Sequence, residues 1–288
     1  MTTLTSRKGT LEFGPGHPVA LINDQLRVMD QGPEVLEELR QGKIDALLDL
    51  ARLGAQVGTD AVDILLTHPE VDEVALLPQV AEAVHTEIGC PISLDSRNPE
   101  ALRAALEALK PYKILINSVT AERESMESLL PVAAEYGAAI VGMPIGDQFG
   151  LPKEVEGRIA EARVIVERAA EYGIPRENIV IDAICLASSA EPGSMQVTLE
   201  TLRRLHEDLG VATVLGIGNA GHGMPEQTKI DLAYLIAAVP WGLDAAYVDP
   251  TTPLLIDEAR AIDFLTARDP YGLAFIKHYR AKREANVG

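Results

Sequence analysis

Short apolar runs alternate with amphipathic segments along most of this chain of 288 residues. Each run ends in a polar residue, passes through a few loop residues and leads into a segment whose apolar residues have helical spacing. A repeat of this kind, roughly 25 to 35 residues long, is typical of βα units. Eight runs have this form: VALIN (19–23), AVDIL (61–65), PISLDS (91–96), KILINS (113–118), AAIVGM (138–143), NIVID (178–182), TVLGIGN (213–219) and LDAAYVD (243–249).

Helix boundary signals lie between the runs. Asn98 and Pro99 form a good N-cap and first-turn pair, and the apolar residues that follow fall on one helix face. The tripeptide EYG, at 135–137 and again at 171–173, predicts two helix ends because glycine adopts left-handed geometry easily.

Strands buried on both faces, with one-sided helices between them, predict a parallel sheet. Eight units in roughly 250 residues fit a closed (β/α)8 TIM barrel, whereas an open doubly wound sheet usually stops at about five or six strands. No linker rich in Pro, Gly or Ser divides the chain. We therefore predict a single α/β domain over residues 1–288, with an additional C-terminal helix over about 271–285.

The composition excludes several classes of function. The chain is 47% apolar, and 25 Lys and Arg oppose 43 Asp and Glu, for a formal net charge of -18. This charge disfavours nucleic acid and anionic membranes as partners. Neither a signal peptide nor a membrane-spanning apolar stretch is evident, so we expect a cytoplasmic protein. Cys90 and Cys185 read as buried free thiols, and no motif indicates a protein-bound metal.

Three glycines have the GxGxxG spacing of dinucleotide-binding proteins, namely Gly216, Gly218 and Gly221. In those proteins the motif normally follows the first strand of its domain and opens a helix. Here only one further strand is predicted, and the next glycine and proline postpone the helix. We interpret the glycines instead as letting the backbone pass close to a ligand and present Asn219.

Polar residues end several of the predicted strands. In a (β/α)8 barrel the carboxyl ends of the strands form the floor of the active site. Turn and cap chemistry explains many such residues singly, but the cap after Asp95 is already supplied by Asn98. The candidates are Asp95, Asn117, Asp182, Asn219 and Asp249 at strand ends, and Asp147 in the loop after the fifth strand.

Two carboxylates and two amides at the same end of the barrel could bind a flat, uncharged heterocycle. A carboxylate accepts two adjacent N–H donors, and an amide matches a mixed edge. Cations near the strand ends are too sparse for phosphate. Aromatic residues make up only 4% of the chain, so the platforms expected in a glycosidase are missing.

With these residues the chain resembles the pterin-binding barrels, and among them the methyltetrahydrofolate:corrinoid methyltransferases. The resemblance spans roughly residues 19–249. It is carried by SLDS (93–96), INSVTAERE (116–124), AAEYGAAIVGM (133–143), IVIDAIC (179–185), TVLGIGNAG (213–221) and GLDAAYVD (242–249).

The resemblance implies transfer of a methyl group between N5 of tetrahydrofolate and the cobalt of a corrinoid carried by a separate partner protein. It implies that Asp95, Asn117, Asp182, Asn219 and Asp147 bind the pterin, with Asn219 near N5 and Asp95 ordering water for proton supply as catalytic residues. It also implies a homodimer. The chain contains no DxHxxG cobalamin signature, which agrees with a corrinoid delivered in trans.

Two other functions stay open at the level of sequence. One is a dihydropteroate synthase-like reaction, although the resemblance places Asn219 where those relatives carry a basic stretch. The other is a folate-binding subunit without catalysis. His222, between glycines, reads either as a general acid or as a flexible surface residue. The strand ends INDQL and LLTHPEVD depart from the family pattern.

Overall fold

The computed structural model describes the backbone of residues 1–287 and the side chains of residues 1–284. Within them, parallel strands close into a barrel in which the last strand pairs with both its predecessor and the first. The predicted (β/α)8 fold is therefore confirmed. An antiparallel hairpin, β1 (Thr2–Ser6) and β2 (Gly9–Phe13), precedes the barrel strands β3 (Ala20–Arg27), β4 (Ala61–Leu65), β5 (Ile92–Asp95), β6 (Leu115–Ala121), β7 (Ala139–Gly146), β8 (Ile179–Asp182), β9 (Ala212–Gly216) and β10 (Ala245–Val248).

Helices cover the outside of the barrel: α1 (Pro33–Arg40), α2 (Asp45–Val57), α3 (Glu73–Glu87), α4 (Pro99–Ala108), α5 (Arg123–Tyr136), α6 (Val155–Glu171), α7 (Ser194–Arg204), α8 (Gln227–Ala238), α9 (Leu255–Leu265) and α10 (Leu273–Val287). The predicted cap is present, because the Asn98 side chain accepts hydrogen bonds from the N–H groups of Glu100 and Ala101. Gly137 ends α5 in the left-handed conformation. The final predicted residue of the domain, Gly288, lies outside the described residues.

Each barrel strand is buried on both faces, with alternate residues facing inward. In β4, Val62 and Ile64 pack outward against the helices, whereas Ala61 belongs to a separate cluster inside the barrel. Near the amino ends of the strands this interior is filled by small and branched apolar side chains. Near the carboxyl ends it becomes polar, and the candidate site lies there.

The N-terminal hairpin closes the opposite end of the barrel. Leu4 and Phe13 are fully buried in the interior cluster, and Thr5 exchanges hydrogen bonds with the backbone of Lys113, just before β6. The sequence pattern did not predict this hairpin, because β1 has a single apolar residue, Leu4, and β2 has only two, Leu11 and Phe13. Because the hairpin closes the amino end of the barrel, the carboxyl end is the open end, which we call the mouth.

Several predicted strand boundaries differ from the structure, and the differences in β3, β6 and β9 concern the site most. β3 continues to Arg27, and β6 continues to Ala121, so Asn117 lies within its strand rather than at its end. β6 is long because its pairing with β7 resumes after a register shift beyond Asn117. β9 ends earlier than predicted, at Gly216, and Asn219 lies in the 3-10 turn that follows.

Candidate active site at the carboxyl end of the barrel

The centre of the mouth holds a contact between an amide and two carboxylates. Asp95 and Asn117 are register partners on neighbouring strands, so their side chains leave the sheet side by side. The Asn117 Nδ2 donates to Asp95 Oδ2 at 3.3 Å and to Asp63 Oδ1 at 3.5 Å. Because both amide protons face carboxylates, the Asn117 oxygen is available as an acceptor.

Asp63 is a site residue that the sequence analysis missed. It is 1% exposed, and its Oδ2 has no hydrogen-bond partner among the described residues. Burial raises its pKa well above the ordinary range, and the charge of Asp95 raises it further. The sequence does contain a signal for Asp63. It is an acidic residue at the centre of the apolar run AVDIL, and acidic residues are rare inside buried strands.

Asp95 also has a raised pKa, because burial opposes its charge more strongly than Arg27 and Arg97 favour it. Asp24 of β3 has a raised pKa through burial as well, with Arg27 acting in the opposite direction. The pair Asp63 and Asp95 therefore retains a proton more readily than two separate carboxylates would.

Asp182 lies across the mouth at the end of β8. It is 9% exposed, and its Oδ1 accepts the Ile184 N–H at 2.7 Å. Burial raises the pKa of Asp182 to about 6, while the hydrogen bond from Ile184 and the charge of Arg158 act to lower it. The carboxylate is thus ionised at neutral pH although it is nearly enclosed.

The floor beneath these carboxylates is a hydroxyl pair. Ser93 Oγ and Tyr247 Oη lie 3.1 Å apart, and both side chains are buried inside the barrel. Burial, followed by the charge of Asp63, raises the pKa of Tyr247 well above its ordinary value. The Tyr247 hydroxyl therefore stays protonated. One of the two hydroxyls donates to the other, which leaves one O–H as a donor beneath the acidic rim.

Asn219 reaches the same mouth from the turn after β9. Its side chain is exposed, and its Nδ2 lies 3.2 Å from the point where a Cβ on Gly216 would be. By the strand alternation of β9, residue 216 faces the barrel interior. The amide therefore lies over the interior, on the solvent side of the buried carboxylates.

The glycine-rich loop does not have dinucleotide-binding geometry. The next helix begins at Gln227 rather than near Gly221. The Gly221 N–H donates to Asp231 Oδ1 at 2.8 Å, and Gln227 Nε2 donates to the Gly218 carbonyl at 2.8 Å. The loop thus folds back onto its own helix, and His222 within it is exposed.

Asp147 and Asp249 have local partners. Asp147 is exposed, and its Oδ2 accepts the Arg123 N–H at 3.0 Å at the start of α5. Asp249 Oδ1 accepts from both the N–H and the hydroxyl of Thr251. Turn and cap chemistry accounts for these contacts, and a pterin-binding role for Asp147 stays a prediction.

Both cysteines are free thiols. Burial raises the pKa of Cys90 to about 11 and that of Cys185 to about 12. Across residues 1–284, no group of three His, Cys, Asp or Glu side chains is placed to hold a metal ion. None of the helices in the described part of the chain has the length and apolar character needed to span a bilayer.

The fold and this group of carboxylates and amides at the mouth of the barrel define a class of protein. The sequence profile of the family described as pterin binding enzyme matches residues 32–249. The chain therefore belongs to the pterin-binding enzyme family, as the resemblance predicted.

Individual relatives refine this picture. The chain is 27% identical over 253 residues to the methylcorrinoid:tetrahydrofolate methyltransferase of Eubacterium limosum, covering 85% of this chain and 92% of that protein. It is 28% identical over 216 residues to the methionine synthase of Mycobacterium tuberculosis, covering 70% of this chain but only 18% of that longer protein.

Solved structures share the fold. A dihydropteroate synthase from Yersinia pestis, determined with a pterine-sulfa conjugate, superposes with a TM-score of 0.70 at 18% identity, covering 92% of this chain and 98% of that one. A dihydropteroate synthase from Coxiella burnetii in complex with pteroic acid gives a TM-score of 0.67 at 16% identity, covering 93% and 100%.

Proposed function

We propose that this protein is a methyltransferase that moves a methyl group between N5 of tetrahydrofolate and the cobalt of a corrinoid carried by a partner protein. The observation that carries the proposal is the inward-facing set of Asp95, Asn117 and Asp182 below the exposed amide of Asn219. The extended similarity to a methylcorrinoid:tetrahydrofolate methyltransferase supports it.

The buried carboxylates and the Asn117 amide fit a reduced pterin ring. The ring offers adjacent N–H groups, which a carboxylate such as Asp182 accepts side by side. The free oxygen of Asn117 accepts a further ring N–H, and Asp95 lies beside it. Enclosure strengthens these hydrogen bonds because few water molecules compete for them.

Asn219 is the residue that we propose acts on N5. When the methyl group leaves, the electron pair of the N–C bond stays on N5, which must gain a proton, while cobalt(I) supplies the pair for the new bond. The Asn219 amide can turn its NH2 toward unprotonated N5 or its oxygen toward protonated N5. The proton comes from solvent, through water ordered by Asp95.

The rim of the mouth supports a protein partner. Exposed large apolar side chains stand on loops that follow β3, β7, β9 and β10, and such side chains on the surface mark interaction sites when they surround a pocket. They are Met29, Phe149, Leu151, Met224 and Leu254. We propose that the corrinoid protein docks on this rim, because its cobalt must reach N5 through the open end of the barrel.

A second apolar surface supports a homodimer. The end of α9, the turn after it and α10 expose seven large side chains, which we name the α9–α10 face: Phe264, Leu265, Tyr271, Leu273, Phe275, Ile276 and Tyr279. The exposed fractions of these side chains run from 37% to 88%, and a group of exposed apolar side chains of this kind marks a protein interaction site. We propose a second copy of this chain as its occupant.

The decisive experiment mixes the purified protein with methylcobalamin and tetrahydrofolate and follows the cobalamin absorption spectrum. We expect demethylation of the cobalamin together with formation of 5-methyltetrahydrofolate, and loss of most of this activity in Asn219→Ala. The reverse reaction, from 5-methyltetrahydrofolate to reduced cobalamin, is measured with the same protein.

Two outcomes would reject methyl transfer. Tetrahydrofolate binding by calorimetry without any methyl exchange, even with a reduced corrinoid protein, would indicate a binding subunit. Formation of dihydropteroate from pterin pyrophosphate and aminobenzoate would indicate the synthase reaction instead. A His222→Ala variant with an unchanged pH–rate profile would exclude that histidine as the general acid.

A further inference from the structure

Arg158 of α6 is a fully buried cation behind the candidate site. It is 0% exposed and is the largest of the completely buried side chains. Its Nη1 donates to the carbonyls of Ala183 and Ile184 at 2.7 and 2.9 Å and to Thr198 Oγ1 at 3.1 Å. Its Nε donates to the Pro152 carbonyl at 3.2 Å. The side chain therefore holds the loop that leaves β8.

These partners are neutral, although the guanidinium is charged. Nη2 is buried and, within residues 1–284, has no hydrogen-bond partner. Burying a cation without a paired carboxylate is unfavourable, and proteins rarely retain such a charge without a compensating interaction. Asp182 is the carboxylate whose pKa the charge of Arg158 lowers.

The loop that Arg158 holds is conformationally strained. Ile184 has φ of 65°, in the left-handed region that a β-branched residue rarely adopts. In this conformation its N–H donates to Asp182 and its carbonyl accepts from both Arg158 and Thr198. Such a conformation persists only where the surroundings over-determine it. Arg158 and Thr198 supply that constraint on the carbonyl side.

We propose that Arg158 is a positioning residue for Asp182. Its guanidinium clamps the carbonyls of Ala183 and Ile184, which holds the Ile184 N–H against the Asp182 carboxylate and keeps a positive charge behind that carboxylate. Arg158 does not touch the ligand. This inference rests on the proposed pterin site.

Other titratable groups lie near Arg158 or Asp182, but Arg158 is the charged side chain that shifts the pKa of Asp182. Burial raises the pKa of the nearby tyrosines and of the cysteine, so these groups carry no charge near neutral pH. The groups that face Arg158 or Asp182 are Tyr234 of α8, Cys185 of the loop after β8, Glu154 before α6 and Tyr247 of β10.

The test measures the pKa of Asp182 directly, by NMR titration of protein labelled with 13C at the aspartate carboxyl carbon. Asp182→Asn assigns the resonance. Arg158→Met removes the cation, and we expect the Asp182 pKa to rise from about 6 by about one unit, the low end of the effect of a nearby opposite charge. Arg158→Lys keeps the charge, so in this variant the Asp182 pKa should lie closer to the wild-type value than in Arg158→Met. The matched control is Arg163→Met, which removes an exposed arginine from the same helix.

Tetrahydrofolate affinity gives a second readout. Because only the ionised carboxylate binds, a rise of the Asp182 pKa from about 6 to about 7 should weaken binding at pH 7 about twofold, and a rise to about 8 should weaken it about tenfold. Binding by the Arg158→Met variant should recover at higher pH. A purely structural arginine would weaken binding equally at every pH. If Arg158→Met does not fold, neutral Arg158→Gln is compared with Arg158→Lys in the same titration.

The inference would be overturned if the Asp182 pKa in Arg158→Met or Arg158→Gln equalled that of the wild type. The carboxyl titration needs no ligand, so it reports on Arg158 even if the proposed function is wrong. Conversely, a wild-type protein that binds no tetrahydrofolate would refute the proposed function without affecting the titration.

Discussion

The side-chain amide of Asn219 packs against the position where residue 216 would carry a Cβ if it were not glycine. A Cβ on Gly216 would lie 3.2 Å from Asn219 Nδ2, which is closer than ordinary van der Waals contact allows without movement. The strand therefore ends in a glycine that admits the amide to the mouth. This relationship gives the GxG sequence a role that requires no nucleotide.

Gly216→Ala should displace the Asn219 amide without straining the backbone, because residue 216 has φ of -82° and ψ of 96°. We expect the rate of methyl transfer to fall about 10- to 100-fold, a part of the effect of removing a transition-state donor, while tetrahydrofolate affinity changes less. Gly218→Ala is the matched control, since nothing lies within 4 Å of its Cβ position. Equal rates in the two variants would contradict this role.

Asn219→Ala should lower turnover by roughly 100- to 1,000-fold, about 2.7 to 4 kcal/mol, because it removes a hydrogen bond that follows the charge on N5. Steady-state kinetics and calorimetry on the same preparation separate rate from affinity. A variant that loses affinity and keeps its rate would show that the amide serves binding alone.

Asp182→Ala should weaken tetrahydrofolate binding by about 2 to 5 kcal/mol, since truncation leaves ring N–H groups buried without an acceptor. Calorimetric titration at pH 8, where the wild-type carboxylate is ionised, gives the comparison. Unchanged affinity would remove Asp182 from the site.

Asp182 should also destabilise the unliganded protein at high pH. Its pKa is raised to about 6 in the folded state from 3.8, so its contribution to stability is fully present below pH 3.8 and is lost as the pH rises through 6. Asp182→Asn should therefore raise the free energy of unfolding by about 1 to 3 kcal/mol at pH 8, with the gain vanishing near pH 4. Urea unfolding at both pH values measures this gain, and Asp30→Asn at an exposed position is the control. An equal effect of Asp182→Asn at pH 8 and pH 4 would show that burial does not penalise the charge of Asp182.

The α9–α10 face should control the oligomeric state. Leu273→Glu places a charge where a side chain that is 69% exposed would contact the second copy, and desolvating that charge disfavours association. Sedimentation equilibrium should show a dimer for the wild type and monomers for the variant. The control is Val164→Glu, because Val164 is exposed but lies outside this face. This variant should still form the dimer. A monomeric wild type would refute the proposed interface.

The sequence predicted the barrel because the evidence for it is local. Each βα unit carries its own apolar strand, its own one-sided helix and its own boundary signals, such as Asn98 before α4 and Gly137 after α5. Strand ends were less well predicted. Pairing partners decide where a strand stops, and β6 extends beyond Asn117 because β7 continues beside it.

The site was only partly predictable for a related reason. Asp95, Asn117 and Asp182 were identified from polar residues at the ends of apolar runs. Asp63 was missed because it lies inside such a run, and Arg158 was missed because a helical arginine normally lies at the surface. Only the folded chain shows that α6 buries this cation against the loop behind Asp182.

The sequence by itself determined the number of βα units, their order and the chemical types that face the carboxyl end, because these depend on neighbours within a few residues. The tertiary structure alone decided which side chains touch: that Asn117 donates to both Asp95 and Asp63, that Gly216 makes room for Asn219, and that the N-terminal hairpin seals the far end. Closure of the barrel brings together residues far apart in the chain, and burial then shifts the pKa values of the carboxylates by removing them from water.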